Sequence, residues 1–430
     1  MVTLAVEKSS VPTPERGSVA LRDLGLRIVA AVLQISATAA VLQVLPPATA
    51  GVYFKGFVIA YGLAALLRGK YDLFVAQHFI GPHDPTRSPR ELVRGLGIRI
   101  LIRSGIACAI LLVVTADMDV MDVYLRPYLQ TYLPFVLAVP FATLALYLAN
   151  VLRAVNHTLA STLVSTYSIN IMILAVAYGA AGPEDTLLSL LSWAFFAGTV
   201  LAAGMGVLIT RHVFPPDAQS AAINWPEVYT ASARNGLTGI ALACLQWGPL
   251  CLLALIGSPI QIAHYAVVTR TANVIDFLIP AAVLVPQGML PHSRLSRDLV
   301  VSLTTTTCCV GIVAVATPWI VDLYGDSYAG LTELFGLLFA TQWLNGAGRP
   351  AIRHLAAHWN LALIRRILFV SMTVALLASC VGIPTYGALG AAISVCLGAL
   401  LMNGQAVQAA FTRAYEVRPH DPRTAGPQRR

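Results

Sequence analysis

The sequence predicts an all-α integral membrane protein with twelve transmembrane helices, and three observations carry that prediction. Apolar residues make up 57% of the 430 and charged residues only 11%, where an ordinary soluble domain has roughly 25% charged residues. The mean hydropathy is +0.72. The apolar residues also gather into continuous runs close to the roughly 20 residues that a helix needs to cross the hydrocarbon core. These runs lie near 26–45, 52–79, 96–115, 128–149, 159–179, 187–210, 236–256, 260–290, 299–320, 331–347, 363–383 and 388–410. A transmembrane β-barrel would show short segments of alternating polarity instead.

The first run follows a polar stretch, "EKSSVPTPERGS", with too little apolar surface to offset the entropy of ordering, so 1–20 is expected to be a disordered leader. Arg22 and Arg27, the run Ile28–Leu45 and then "PPATAG" imitate a secretory signal. The run is long for a signal core and a polar leader precedes it, so it is read as a retained first helix. The second run holds "LLRGKYDLF", which sets Arg68, Lys70 and Asp72 in an otherwise apolar stretch. Runs three to six complete an N-terminal six-helix bundle over 21–212. A cytoplasmic linker at 213–235 leads to a C-terminal six-helix bundle over 236–411, and a disordered basic tail, "EVRPHDPRTAGPQRR", closes a segment read as 412–430.

Orientation follows from Lys and Arg, which are held on the cytoplasmic side in short loops. With the N-terminus inside, the inner side receives Lys8, Arg16, Arg22, Arg87, Arg90, Arg94, Arg153, Arg211, Arg294, Arg297, Arg349, Arg353 and the tail. The outer side receives only Arg126 and, near the interface, Lys55. Twelve spans then place both termini in the cytoplasm. The net charge of +8 is accordingly read as topology and contact with anionic lipid, not as nucleic-acid binding.

Soluble chemistry finds little support. Cys108, Cys244, Cys251, Cys308, Cys309, Cys380 and Cys396 all fall in apolar runs, where cysteine acts as a small hydrophobe. They imply neither disulfides nor a zinc site. His354 and His358 in "RHLAAHW" are an i,i+4 pair with no acidic residue beside them, so no metal and no cofactor is expected. A membrane-embedded glycosyltransferase would want an outward-facing carboxylate, and "DMDVMD" (Asp117 to Asp122) supplies three. An acidic solvated turn explains that segment equally, and the short external loops offer no supporting shell for catalysis. The chain is not expected to be an enzyme.

The charges inside the runs carry more. An ionisable group at helix-centre depth costs about 2.5–3.5 kcal/mol on insertion scales and normally faces a bundle interior or a wet cavity. Arg68, Lys70 and Asp72 fall in the cytoplasmic third of the second span, where Arg and Lys can also snorkel to the headgroups. In "VVTRTANVID", Arg270 sits about 15 Å past Pro259 at 1.5 Å per residue, near the midplane and too deep to snorkel comfortably. Asn273 and Asp276 follow on roughly the same face as internal partners. Arg27, Arg99, Arg103 and Arg234 are further cations within or at the ends of runs, against Asp72 and Asp276 as the buried acids. A cation-driven exporter would want buried carboxylates; this pattern suits an anionic cargo, and guanidinium groups suit phosphate.

Longer stretches carry a resemblance. "AHYAVVTRTANVIDFLIPAAVLVPQGMLPHSRL", "LYGDSYAGLTELFGLLFATQWLNGAGRPAIRHLAAHWN", "GIPTYGALGAAISVCLGALLMN" and "PPATAGVYFKGFVIAYGLAALL" resemble the polysaccharide (Wzx-type) flippase branch of the multidrug/oligosaccharidyl-lipid/polysaccharide exporter superfamily. The likeness rests on the aromatic-rich start and small-residue and Asn face of the eighth helix with a proline near its end, Pro286 or Pro291. It rests also on the Tyr-Gly-x-x-Gly-Ala-Ala run at Tyr386, Gly387, Gly390, Ala391 and Ala392. Tyr53 and Tyr265, near the starts of the second and eighth helices, faintly mark an internal repeat.

The resemblance implies two pseudo-symmetric six-helix bundles around a central cationic cavity that opens alternately to either side of a bacterial plasma membrane. It implies transfer of a polyprenyl-(di)phosphate-linked saccharide from the inner to the outer leaflet for cell-envelope glycan assembly. Partners would be that lipid-linked saccharide, membrane lipids and glycan-assembly enzymes. Arg68 and Lys70 would capture the phosphate, Asp72 would keep that hold loose, and Arg270 would receive it at the midplane. Arg234, Asn235 and Gln246 would form a polar wall, with Asn273 and Asp276 beside Arg270. The chain departs from drug-exporting relatives in lacking a membrane carboxylate within the first helix, since Asp23 lies at its edge. Cation-coupled export of small amphiphiles remains the alternative reading.

Overall fold

The computed structural model describes residues 15–69, 71, 89–116, 126–155, 157–215, 223, 225–288, 295–328, 330–357 and 361–416. Among them the regular structure is helical throughout. The first half comprises α1 (Glu15–Val44), α2 (Pro47–Arg68), α3 (Pro89–Ala116), α4 (Arg126–Ala154), α5 (Thr158–Gly179) and α6 (Glu184–Val213). The second half comprises α7 (Trp225–Ile256), α8 (Pro259–Gly288), α9 (Leu295–Tyr324), α10 (Thr332–Ala357), α11 (Leu361–Tyr386) and α12 (Ala388–Glu416).

Ten of these helices are long and apolar enough to cross a membrane by length and composition; α8 and α10 are not among them. α8 carries Arg270, Asn273 and Asp276 and α10 carries Gln342, Asn345, Arg349 and Arg353, and a polar spanning helix is tolerated only where protein surrounds it. The outward faces are apolar: Ile102, Ile106, Ile110 and Val113 form one exposed stripe down α3, spaced at helical period. The chain is a multi-pass membrane protein.

Helix ends follow local chemistry. α2 and α8 both start on proline, whose missing N–H costs nothing in the first turn. At α8, Ser258 and Gln261 form a reciprocal capping box, each side-chain oxygen accepting from the other's backbone N–H at 3.3 and 3.4 Å. α6 opens with Glu184 and Asp185 and closes with Arg211 and His212, which complements the helix dipole. α2 stops at Gly69, whose φ of 61° favours glycine. The second span, read as running from 52 to 79, is thus interrupted as a helix after Arg68; of 70–79 only Tyr71, itself helical, is among the described residues. Residues 15–20, read as leader, form the first turns of α1, and helix continues to Glu416 in the stretch read as tail. α7 begins at Trp225 rather than at 236, so helix occupies the second part of the stretch read as linker. Trp225 holds that extension by packing into a slot over Gly95 of α3, with the Arg99 guanidinium 4.4 Å from its ring centre.

The helix pairings of the first half recur six helices later. Packing of α2 on α4, α4 on α6, α3 on α4, α5 on α6 and α1 on α5 is repeated by α8 on α10, α10 on α12, α9 on α10, α11 on α12 and α7 on α11. Between the halves, α1 on α8 is mirrored by α7 on α2, and α2 meets α8 directly. Tyr53 and Tyr265 occupy equivalent places, each the seventh residue of its helix and each buried. The fold is thus two pseudo-symmetric six-helix bundles meeting along α1, α2, α7 and α8.

Small residues set the closest approaches. A Cβ on Gly51 would come 1.8 Å from the Pro259 carbonyl oxygen, so α2 and α8 touch backbone to backbone where both helices start. A Cβ on Gly390 would come 2.0 Å from the Gly382 oxygen, and this closes the α11–α12 hairpin over Gly387, with φ of 57°. Gly390→Leu is expected to destabilise the second half by about 3 kcal/mol, the upper end of ordinary overpacking. The check is the yield of monodisperse protein and its thermal midpoint in detergent. A midpoint equal to that of the unaltered chain would refute the close packing.

Candidate functional site

α8 is buried on nearly every side, through Ile262, Ala263, Tyr265, Ala266, Val267, Val268, Thr271, Ala272, Ile275 and Ile279. Arg270, at its middle, is only 7% exposed. Its Nη1 donates to Thr38 Oγ1 at 3.1 Å, the Thr38 hydroxyl donates to the Gln34 carbonyl at 2.8 Å, and Gln34 Nε2 donates to the Arg270 carbonyl at 3.4 Å. These bonds stitch α1 to α8 across the two halves. The guanidinium lies over α2 aromatics, 4.2 Å from the Phe57 ring centre and 5.2 Å from that of Phe54, a cation–π arrangement that partly replaces water. Tyr53, Tyr61 and Tyr324 are near enough to act on its charge. Tyr61 in turn stacks on Trp247 of α7, with centroids 6.0 Å apart and planes 10° from parallel.

Among the described residues, no carboxylate pairs with Arg270. Asn273 and Asp276, read as its partners, turn elsewhere. Asn273 Oδ1 accepts from Gln342 Nε2 of α10 at 3.2 Å, and Asp276 pairs with Arg349 of the same helix. The reason is azimuth: at about 100° per residue, six residues place Asp276 about 120° round the helix from Arg270. Arg270 therefore faces the other half, while Asp276 faces its own.

Two further charge groups emerge, one in each half. In the first, Arg27 Nε donates to Asp23 Oδ2 at 2.9 Å, with both side chains nearly buried. Arg153 of α4 is close enough to feel Arg27, Asp23 and Arg68. Arg68 thus joins three charges that the sequence reading had placed at a helix edge or in loops. The i,i+4 spacing of Asp23 and Arg27 was the overlooked signal. Lys70 and Asp72, read as its companions, lie outside the described residues, as do the "DMDVMD" segment and His358. Arg234 and Asn235 lie on α7, but their side chains are outside the described residues.

In the second half, Gln342, Asn345, Arg349 and Arg353 follow one another at helical spacing along α10. Asn403 of α12 donates Nδ2 to Asn345 Oδ1 at 3.1 Å, Ser302 of α9 donates to the Gly346 carbonyl at 2.8 Å, and Arg353 lies near Asp298 of α9. Sequence reading ended the tenth span at 347 and so missed this stripe. Its three-to-four-residue period was the available signal. All seven cysteines are free thiols, and no group of three or more potential metal-ligating side chains occurs among the described residues.

No protein-family profile matches the chain, and no curated protein matches it either. Solved structures do. An inward closed lipid II flippase MurJ superposes with a TM-score of 0.60 at 12% identity, covering 91% of this chain and 87% of that one. An inward-facing multidrug resistance MATE family transporter of the MOP superfamily gives 0.58 at 13%, covering 95% and 100%. A MOP superfamily transporter from Pyrococcus furiosus, described as having a binding pocket of reverse polarity, gives 0.53 at 12%, covering 96% and 100%. At such identities the likeness is one of architecture. The chain shares its two-bundle helical fold with these transporters.

Proposed function

We propose that the protein is a flippase that carries a polyprenyl-(di)phosphate-linked saccharide from the inner to the outer leaflet of a bacterial plasma membrane, with both termini cytoplasmic. The observation that carries this reading is Arg270, a guanidinium buried where the two halves meet and facing no carboxylate among the described residues. A buried cation of this kind is costly unless an anion completes it, and a guanidinium offers phosphate a planar fork of donors. The solved lipid II flippase shares the fold, which supports a lipid-linked cargo. Rocking of the halves about α1, α2, α7 and α8 would present Arg270 to each side in turn. The saccharide would travel in the aqueous crevice while the prenyl tail stays in lipid.

The test is reconstitution in liposomes with a labelled polyprenyl-phosphate saccharide, following its exposure to a membrane-impermeant quencher. Protein-dependent loss of the protected fraction is expected; rates equal to those of empty liposomes would overturn the reading. In the same system, Arg68→Gln with Lys70→Gln is expected to weaken cargo binding several-fold at low salt and less at moderate salt, because exposed charge contacts are screened. Unchanged affinity would assign both residues to snorkelling.

Cation-coupled export of small amphiphiles is the second reading. The MATE fold likeness and the aromatic wall of Phe57, Tyr61 and Trp247 favour it. Competition by a lipophilic cation, with none by a prenyl phosphate, would select it.

A further inference from the structure

Carboxylates within the helical spans are what a cation gradient would act on, so the state of each is informative. Among the described residues, Asp23 is held by Arg27 and Asp276 by Arg349. In each pair the guanidinium comes from the same half of the molecule, so the contact is not broken merely by moving one half against the other.

Around the Asp276–Arg349 pair, α8 and α10 carry a run of amides and hydroxyls. Asn273 stands one turn before Asp276 on α8. The amides of Gln342, Asn345 and Asn403 occupy the neighbouring level of α10 and α12, joined through Gln342–Asn273 and Asn403–Asn345 bonds of 3.2 and 3.1 Å. Gln342 Oε1, Asn403 Oδ1 and Thr306 Oγ1 are buried without a hydrogen-bond partner, as is Arg349 Nη1; Thr306 packs against Gly346 and Asn403 against Gly348, in the turn of α10 that leads to Arg349. A carboxylate with oxygen donors along the helix that pairs with it is the chemistry that suits a hard monovalent cation or a proton. Here the positive charge is covalently attached instead. Arg349 is 8% exposed, and its head group reaches Asp276, which itself remains about a third exposed, at 32%.

We infer that Arg349 is a resident cation. Its guanidinium permanently occupies the place that an exchangeable sodium ion or proton would take on Asp276, so the second half does not load a coupling cation at this carboxylate. The inference goes beyond the proposed cargo, because it concerns the energy source and stands whether the cargo is a lipid-linked saccharide or another anion. It also bears on the exporter reading, since a cation-driven exporter would need this carboxylate free. Removing the side chain of Arg349 should uncover the site. Asp276 would then stand without its counter-charge and should acquire affinity for sodium or for a proton.

The measurement is thermal unfolding of purified full-length protein in detergent, without cargo, titrated with sodium chloride against N-methylglucamine chloride at constant ionic strength and repeated across pH. The unaltered chain should show one midpoint in both salts. Arg349→Ala should show a lower midpoint in N-methylglucamine and a saturable rise with sodium, or with falling pH, through selective binding to the folded state. That rise should vanish in Asp276→Asn/Arg349→Ala. Should Arg349→Ala not accumulate, the neutral pair Asp276→Asn/Arg349→Gln should fold and be as indifferent to sodium as the unaltered chain. A saturable sodium response in the unaltered chain that Asp276→Asn removes would overturn the inference. So would an Arg349→Ala protein that folds but gains no response to sodium or pH. Neither readout involves cargo, so failure of the flippase proposal leaves this test intact.

Discussion

Arg270→Ala is expected to lower transport of a polyprenyl-phosphate saccharide by about a hundredfold or more. The change deletes up to two charge-assisted hydrogen bonds, worth about 1.5–3 kcal/mol each, at the point where the halves meet. Folding should survive, because Arg270 gives its own half no ion pair among the described residues and its bond to Thr38 is a single neutral-acceptor contact. Arg270→Met, which keeps most of the volume over Phe57, should transport no better than Ala. Arg270→Lys should retain partial activity, since it keeps the charge and loses only the fork. The measurement is initial rate in liposomes, normalised to the amount of folded protein. Normal transport by Arg270→Ala would mean that the anion crosses elsewhere.

Asp23→Asn should have the largest effect on stability, with a loss of about 3 kcal/mol, the scale expected when one partner of a buried charge pair is removed. Arg27 pairs with this carboxylate and Arg153 lies close enough to be influenced by Asp23, Arg27 and Arg68, so the substitution removes negative charge from a cluster rich in guanidinium. The loss should be visible as a lowered thermal midpoint, and sulfate or phosphate at moderate concentration should restore part of it by taking the carboxylate's place. Chloride at matched ionic strength should restore less. A midpoint that does not move on substitution would show that the three arginines are solvated separately and do not depend on Asp23.

These two arginine settings explain why some of the site was legible in sequence and some was not. The depth of Arg270 follows from counting residues past Pro259, because helix rise is constant and an apolar run measures the membrane. Its singularity does not. Asp276 lies within reach on the same helix by residue count, and only the packing of α10 against α8 shows that Arg349 takes it. Asp23 and Arg153 looked like edge and loop charges, because hydropathy windows fade at span ends. Three helix ends converge there, and that convergence is a property of the bundle.

A membrane protein of twelve helices, with basic residues gathered at one set of ends, is legible from run length and charge placement. Run length is local and set the spans; the capping pair Ser258–Gln261 and the break at Gly69 are local too, yet hydropathy, which ran the second span through Gly69 to 79, does not register them. Only the tertiary structure decided which polar groups meet. A pairing inside a bundle depends on helix azimuth and on which helices adjoin, so a turn of about 100° per residue separates Arg270 from Asp276 more decisively than their closeness in sequence joins them. The pseudo-two-fold was likewise almost invisible in the residues, with Tyr53 and Tyr265 its faint trace, yet it is plain in the helix pairings. Lipid and a neighbouring helix reward much the same apolar side chains, so sequence conceals a symmetry that packing geometry displays.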